Sequence, residues 1–452
     1  MDVKALETVF EELRELLENK RMKEVKARLD DMNEVDAAHF LQTLPEKEMA
    51  MVFRILSKEH AAEVFACMEI DEQQLIINSV TDRELAHIIE ELYVDDAVDL
   101  MEELPANVVK RIMRNATAET RDLINQFLKF PENSAGSIMT AEFVDLKKDM
   151  TVNEAFDRIR KTGEDKETIY TCYVTSKDRK LLGVVTVRDM LLSPYEAVIG
   201  DIMDDNVISA MTTDDRETVA KMFNKYDFIA LPVVDTENRL VGIITVDDAM
   251  DVLEEEATED IEKMAAITPS DRPYLKTGVL ETWRARVPWL LILMISATFT
   301  GLIISSYESA LSKFVVLTAF IPMLMDTGGN GGSQTSVTVI RSMSLGDIEF
   351  SDLFKVVWKE VRVALLCGLT LAVTNFVKLM VLDRVGFQVA AVVCITLVAT
   401  VFFAKLVGGI MPMLAKKIGF DPAVMASPFI TTIVDALSLI IYFRVAALVL
   451  NL

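Results

Sequence analysis

Apolar positions recur at helical spacing from the start of the chain. Leu6, Val9, Phe10, Leu13, Leu16 and Leu17 fall on one stripe, which predicts an amphipathic helix. Short segments of the same kind follow at 46–56, 59–67, 82–91 and 95–103, punctuated by Leu44-Pro45 and Leu104-Pro105. This repetition predicts an α-helical superhelix over residues 1–130, a stack of short hairpins. Between 131 and 255 the pattern changes, and β-branched runs (YTCYVT, FIALPVVD) alternate with helical segments. From Val287 long apolar runs dominate. Five spans are expected at about 287–306, 314–340, 356–382, 388–414 and 424–450. Each reaches the roughly 20 residues that cross a ~30 Å hydrocarbon core. The expected fold class is a multidomain integral membrane protein, with a helical domain, an α/β region and an all-α transmembrane domain of five helices at 284–452.

Charge divides the chain in the same place. The net charge of -24 sits almost wholly in residues 1–285. That disfavours nucleic acid as a partner and suits a hard cation such as Mg²⁺ or Ca²⁺. Residues 247–262, DDAMDVLEEEATEDIE, hold nine carboxylates and no basic residue. Such a helix repels itself. It reads either as a solvated acidic face or as one that divalent cations bridge to other acidic faces. Because it leads towards the apolar region, 247–283 reads as an acidic connector. Arg284 and Arg286 precede the first span, Arg341, Lys355, Lys359 and Arg362 separate the second from the third, and Lys416 and Lys417 precede the fifth. The opposite loops carry Lys313 and Arg384. This asymmetry predicts a cytoplasmic N-terminus, cytoplasmic loops at 341–355 and 415–423, and a C-terminus outside. The opening MDVKALETVF lacks the pattern of a signal peptide, which agrees with cytoplasmic N-terminal domains in a cell-membrane protein. Cys67, Cys172, Cys367 and Cys394 are scattered and read as buried thiols.

Residues 131–255 contain an internal repeat. LLGVVTVRDMLL (181–192) is echoed by LVGIITVDDAMDVL (240–253), and Ser137-Ile138-Met139 by Asp201-Ile202-Met203. Gly183 and Gly242 lie 59 residues apart, as do Asp189 and Asp248. The region resembles a tandem pair of cystathionine-β-synthase (CBS) domains, at 131–200 and 201–255. The resemblance implies dimerisation and sensing of adenine nucleotides or ions. Thr186, Arg188 and Asp189 match the nucleotide pattern, with ATP as a candidate modulator. The alternative is that Asp189 caps the helix that follows.

Within the apolar half, Pro322–Arg341 (PMLMDTGGNGGSQTSVTVIR) is the polar exception. Each glycine costs a helix roughly 0.8–1 kcal/mol relative to alanine, and polar side chains in lipid face the protein interior or water. Asn330, Ser333 and Gln334 make one polar face. In the fifth span Ser427, Thr431, Asp435 and Ser438 share another, and Pro428 frees the Val424 carbonyl. Hydroxyls, carbonyls and one carboxylate suit a cation that dehydrates reluctantly. The alternative for Asp435 is a buried carboxylate bonded to a hydroxyl. Asp326 reads either as part of the path or as a cap on a break in its own helix. The chain has no HExxH, no histidine in any span and no GxxxxGK[ST] loop, which argues against a membrane metalloprotease or an ATP-driven pump.

The order of superhelix, CBS pair, acidic connector and five spans resembles the MgtE family of magnesium channels and transporters. PMLMDTGGNGGSQTSVTVIRS, SPFITTIVD and TVDDAMDVLEEEATEDIEK carry the resemblance. It implies a homodimer in a lipid bilayer, no enzymatic activity, and a pore on the two-fold axis that admits Mg²⁺. By match, Asp435 would hold hydrated Mg²⁺, with Gly329, Asn330, Ser333, Ser427 and Thr431 nearby. The implied sensor carboxylates are Asp95, Asp99, Asp227, Asp248, Asp251, Glu256, Glu259, Asp260, Asp421 and Glu63, so that Mg²⁺ is both substrate and gating ligand. Transport of Mn²⁺, Co²⁺ or Ni²⁺, or a CBS-regulated sensor without transport, remain the alternatives.

Overall fold

The computed structural model describes residues 3–450, apart from Asp271 and Pro273. The chain divides into two compact units, Met1–Leu253 and Glu254–Leu452.

In the first unit, ten helices run among the described residues from α1 (Val3–Glu18) to α10 (Ala118–Phe127). Their starts are written into the sequence. Asn33 accepts from the Val35 amide, Thr117 accepts from the Thr120 amide, and Thr81 forms a reciprocal capping box with Glu84. The apolar stripes meet in one core that includes Leu13, Phe40, Phe65, Ile76 and Leu85, all fully buried. α8 (Val94–Glu103) buries Val94, Val98 and Met101 in that core and leaves Asp95, Asp96 and Asp99 on its other side.

Two sheets follow. The first comprises β1 (Phe143–Lys147), β2 (Thr168–Thr175) and β3 (Leu181–Thr186), with α11 (Val152–Thr162) between β1 and β2 and α12 (Val187–Leu192) after β3. A short α13 (Ile199–Ile202) leads to β4 (Ala210–Met211), α14 (Arg216–Tyr226), β5 (Ala230–Val234) and β6 (Leu240–Thr245). In each sheet the first two strands are parallel and the last two antiparallel. The repeats exchange their lead-in segments. Thr140 pairs with Ile243 of the second sheet, and Asp204 pairs with Val184 of the first. The repeated glycines permit this. A Cβ on Gly242 would lie 2.6 Å from the Thr140 carbonyl oxygen, and one on Gly183 would lie 2.9 Å from that of Asp204.

The acidic stretch forms α15 (Val246–Met264), a 19-residue helix that ends well before residue 283. Ala266 then turns the chain with φ 55°.

The second unit contains α16 (Val279–Ser306), the short α17 (Glu308–Lys313), α18 (Ile321–Ser344), α19 (Leu353–Val381), α20 (Phe387–Lys417) and α21 (Ser427–Leu450). α20 packs against α18, α19 and α21. Among the described residues, four helical stretches are long and apolar enough to cross a membrane: Val279–Ser306, Phe350–Val381, Phe387–Lys417 and Pro422–Leu450. α18 is 24 residues long and is set apart by its polar, glycine-rich sequence. The expected spans thus correspond to five long helices, of which the second is the polar one.

Candidate functional site

α18 is unbroken through its glycine run, so Asp326 does not cap a break. Three of its glycines are packing positions within the chain. A Cβ on Gly328 would lie 2.6 Å from the Thr400 methyl, one on Gly329 3.0 Å from the Thr431 methyl, and one on Gly332 2.8 Å from Ile430. Gly331 has open space around it. The glycines therefore bring α18 against α20 and α21 of the same chain.

Beside this contact, α18 and α21 line a cavity of ≈ 500 Å³. Asp326, Gly329, Asn330, Thr431 and Asp435 line its polar part, and Ile321, Pro322 and Met325 its apolar part. Four expected pore residues thus meet, and Asp326 joins them. Ser333 lies outside the lining, and the side chain of Ser427 lies outside the described residues. Ser438 does not extend the polar face into the cavity. It is buried, donates to the Val434 carbonyl at 2.6 Å and sits beside Gly328. Pro428 occupies the first turn of α21, where a missing N–H leaves no intrahelical bond unmade. Val424 precedes that helix, so the expected freed carbonyl is not a helical defect. The hydroxyls of Thr431 and Thr432 donate instead to the Pro428 carbonyl, at 2.9 and 3.0 Å.

A second acidic group lies in the first unit. Burial pushes the Asp95 carboxyl well above the usual range, and Asp248, Asp96 and Glu167 add repulsion. Burial followed by like charge also raises Asp96 to about 6 and Asp99 to about 7. Glu167 rises to about 7 from burial, Asp248 and Asp247. Asp248 rises to about 6 from burial, against the pull of hydrogen bonds from Thr245 and with further repulsion from Asp247 and Asp251. The Tyr93 hydroxyl is raised to about 12 by burial and then by Glu167, Glu142, Glu63 and Asp95. Expected sensor residues Asp95, Asp99, Asp248, Asp251 and Glu63 are thereby electrostatically linked. Asp96, Asp247, Glu142 and Glu167 belong with them, and of these Glu142 and Glu167 escaped the sequence reading. Glu142 and Glu167 come from separate loops, joined by a Glu167 amide bond to the Glu142 carbonyl at 2.9 Å. Among the described residues, no three His, Cys, Asp or Glu side chains converge as a direct metal site. The group is a set of half-buried and exposed carboxylates that repel one another.

Asp227 is exposed and ends α14 in the left-handed conformation, φ 55°. Its short polar side chain suits that backbone without any ligand. Glu256 and Asp260 lie farther along α15. Glu259 and Asp421 are bridged by Lys263, whose ammonium sits 2.6 Å from Glu259 and 2.7 Å from Asp421. The next residue, Met264, packs with Ile340, Ala423 and Ala426. The end of the acidic helix is thus fastened to α18 and to the loop before α21.

Of the nucleotide candidates, Thr186 and Asp189 form a reciprocal capping box that starts α12, and Arg188 is exposed. Thr245 and Asp248 repeat that contact at the start of α15.

A helical domain, a paired α/β module and a polar helix among apolar ones long enough to cross a bilayer define a multi-pass membrane protein. Comparison with known proteins makes this specific. The model of a family described as divalent cation transporter matches residues 321–445. An MgtE intracellular N domain matches 32–133, and CBS domains match 135–195 and 199–255. "Magnesium transporter MgtE" of Thermus thermophilus is 35% identical over 97% of this chain and 98% of its own. The Bacillus subtilis protein of that name is 31% identical over 95% of each. A solved structure, the cytosolic domain of the Mg²⁺ channel MgtE in complex with ATP, has a TM-score of 0.51 and 33% identity, covering 53% of this chain and 98% of its own. The chain belongs to the MgtE family of divalent cation transporters.

Proposed function

We propose that this protein is a Mg²⁺-selective channel or transporter that imports Mg²⁺ across the cytoplasmic membrane as a homodimer. The observation that carries the reading is the outer stripe of α18. Pro322, Asp326, Asn330 and Gln334 recur every fourth residue and are exposed in the single chain. A carboxylate and two amides cannot face hydrocarbon without large cost. Water and a second copy of the chain remove that cost, which supports a shared aqueous path along the stripe. The cavity behind it offers Asp435, an amide, a threonine and helix backbone. Mg²⁺ dehydrates reluctantly and binds through one or two carboxylates with most of its waters retained. That chemistry suits Asp435 as the principal contact, with Asp326 next to it. The relatives' name as magnesium transporters supports the choice of ion.

Internal Mg²⁺ also closes the channel. The first unit holds carboxylates close to one another, and ions between them turn repulsion into attraction. A ligand that binds only the compact state shifts the equilibrium towards it. α15 carries the change, because Asp248 and Asp251 lie at its start and Lys263 holds its end to Asp421. With both ends engaged, a shift at one is felt at the other. ATP is a second ligand for the CBS pair, supported by the related cytosolic domain solved with ATP. Calorimetric titration of ATP, lost in Arg188→Ala, tests that assignment.

The deciding experiment is Mg²⁺ uptake into proteoliposomes. Asp435→Ala should abolish flux while the protein remains a folded dimer. Undiminished uptake removes the pore assignment. The same vesicles loaded with Mn²⁺, Co²⁺ or Ni²⁺ decide the ion.

A further inference from the structure

A polar group that the ion path does not use lies on the far side of α18. Thr335 is 3% exposed and Lys405 of α20 is 6% exposed. Glu360 of α19 completes the group. The Lys405 ammonium donates to the Thr335 hydroxyl at 3.2 Å, and that hydroxyl donates to the Glu360 carboxylate at 2.9 Å. The direct separation of the two charges is 3.9 Å. Lysine can only donate and an ionised carboxylate can only accept, and the hydroxyl's single proton favours Glu360 at 2.9 Å over the Gly331 carbonyl at 3.4 Å. Thr335 is the hinge of the group, and its hydroxyl serves both charges at once.

A buried ion pair is weak evidence for stability, since apolar residues of equal volume often do as well. Its best-attested use is to set a register. That use has a clear object here. Thr335 follows Asp326 by nine residues, which at 3.6 residues per turn is about 180° around the helix. Asp326 and Asn330 are exposed on one side of α18, while Thr335, Gly332 and Gly328 are buried on the other. On the buried side, a Cβ on Gly408 of α20 would overlap the Gly332 carbonyl. Two glycine-lined backbones in contact offer closeness with few protruding side chains to resist rotation. Directional bonds to charged partners on two neighbouring helices supply that resistance.

We infer that Lys405, Thr335 and Glu360 are positioning residues that set the rotation of α18 and so aim Asp326 and Asn330 into the ion path. The inference rests on the pore reading above. Thr335→Val keeps shape and removes both bonds, whereas Thr335→Ser keeps them. Lys405→Met with Glu360→Met removes both charges together, so neither is left buried alone. All are made in the full chain and read as Mg²⁺ flux per folded dimer against external Mg²⁺. Hydrogen bonds to charged groups are strong enough that Thr335→Val should raise the half-saturating Mg²⁺ concentration roughly tenfold. The double variant should shift it likewise, and Thr335→Ser should restore the wild-type curve. Unmoved curves in Thr335→Val and in the double variant overturn the positioning role. Absence of flux in the wild type overturns the pore reading instead.

Discussion

Glycines on α18 and α20 show how one residue type serves different ends. Gly408 has no room for a Cβ, because the Gly332 carbonyl occupies that space. Backbone cannot move aside as a flexible side chain can. Gly408→Ala should therefore cost about 1–3 kcal/mol, in the range of overpacking. Gly331 has nothing within 4 Å of the same position. Gly331→Ala should be neutral or stabilise by up to about 1 kcal/mol through helix propensity. Thermal unfolding of the two variants in detergent checks the pair, and equal melting temperatures would contradict it. The sequence marked the whole glycine run as one feature. Only the neighbours on α20 and α21 separate packing glycines from an open one.

At the level of elements, the acidic contact around α8 makes a prediction about pH. The carboxyls of Asp96, Asp99, Glu167 and Asp248 rise from ordinary values of 3.8 or 4.5 to about 6 or 7. A raised carboxyl binds more protons in the folded than in the unfolded state. Stability then falls as pH rises between the two values. Without divalent cations, the first unit should resist proteolysis best near the acid end of that window and lose protection as pH rises through 6 to 7. Mg²⁺ should restore protection at the higher pH, because ligand bound only to the compact form stabilises it. Protection that rises with pH in chelator would refute the account. The end of α15 makes a separate prediction. Lys263→Met leaves Glu259 and Asp421 facing each other without their shared cation. Cleavage after α15, in 265–278, should accelerate in chelator and be slowed by Mg²⁺. A cleavage rate equal to wild type would mean that Lys263 contributes nothing to that tie.

The elements themselves were legible. Stripes at helical spacing, capping residues such as Thr81 and Thr151, and the LLGVVTVRD/LVGIITVDD echo specify the helices and sheets locally. Asp435, Asn330 and Thr431 were legible because polar residues in apolar spans stand out. Glu142 and Glu167 were not, since their approach depends on a backbone bond between distant loops. The exchange of lead-in segments between repeats and the Lys405 group were hidden for the same reason. Each arises from pairing across the fold, which no local pattern encodes.

For the whole molecule, the proposed gating by internal Mg²⁺ makes a prediction of its own. Asp95 and Asp99 of α8 and Asp248 of α15 all lie in the first unit, and each is raised by desolvation and by carboxylates nearby. At an effective dielectric near 20, two unit charges 4 Å apart interact by ~4 kcal/mol. A few such terms are enough to set a two-state equilibrium, since about 5.5 kcal/mol carries a population from 1:99 to 99:1. Changing all three to asparagine removes the repulsion and the ion sites together, so the equilibrium loses its dependence on Mg²⁺ whichever state it then favours. Patch recordings from the full chain should show an open fraction that no longer responds to Mg²⁺ on the cytoplasmic side, with unitary conductance unchanged because the cavity at Asp435 is untouched. An inhibition curve that coincides with the wild type would place the sensor elsewhere. A changed conductance would mean that the acidic group acts on permeation itself.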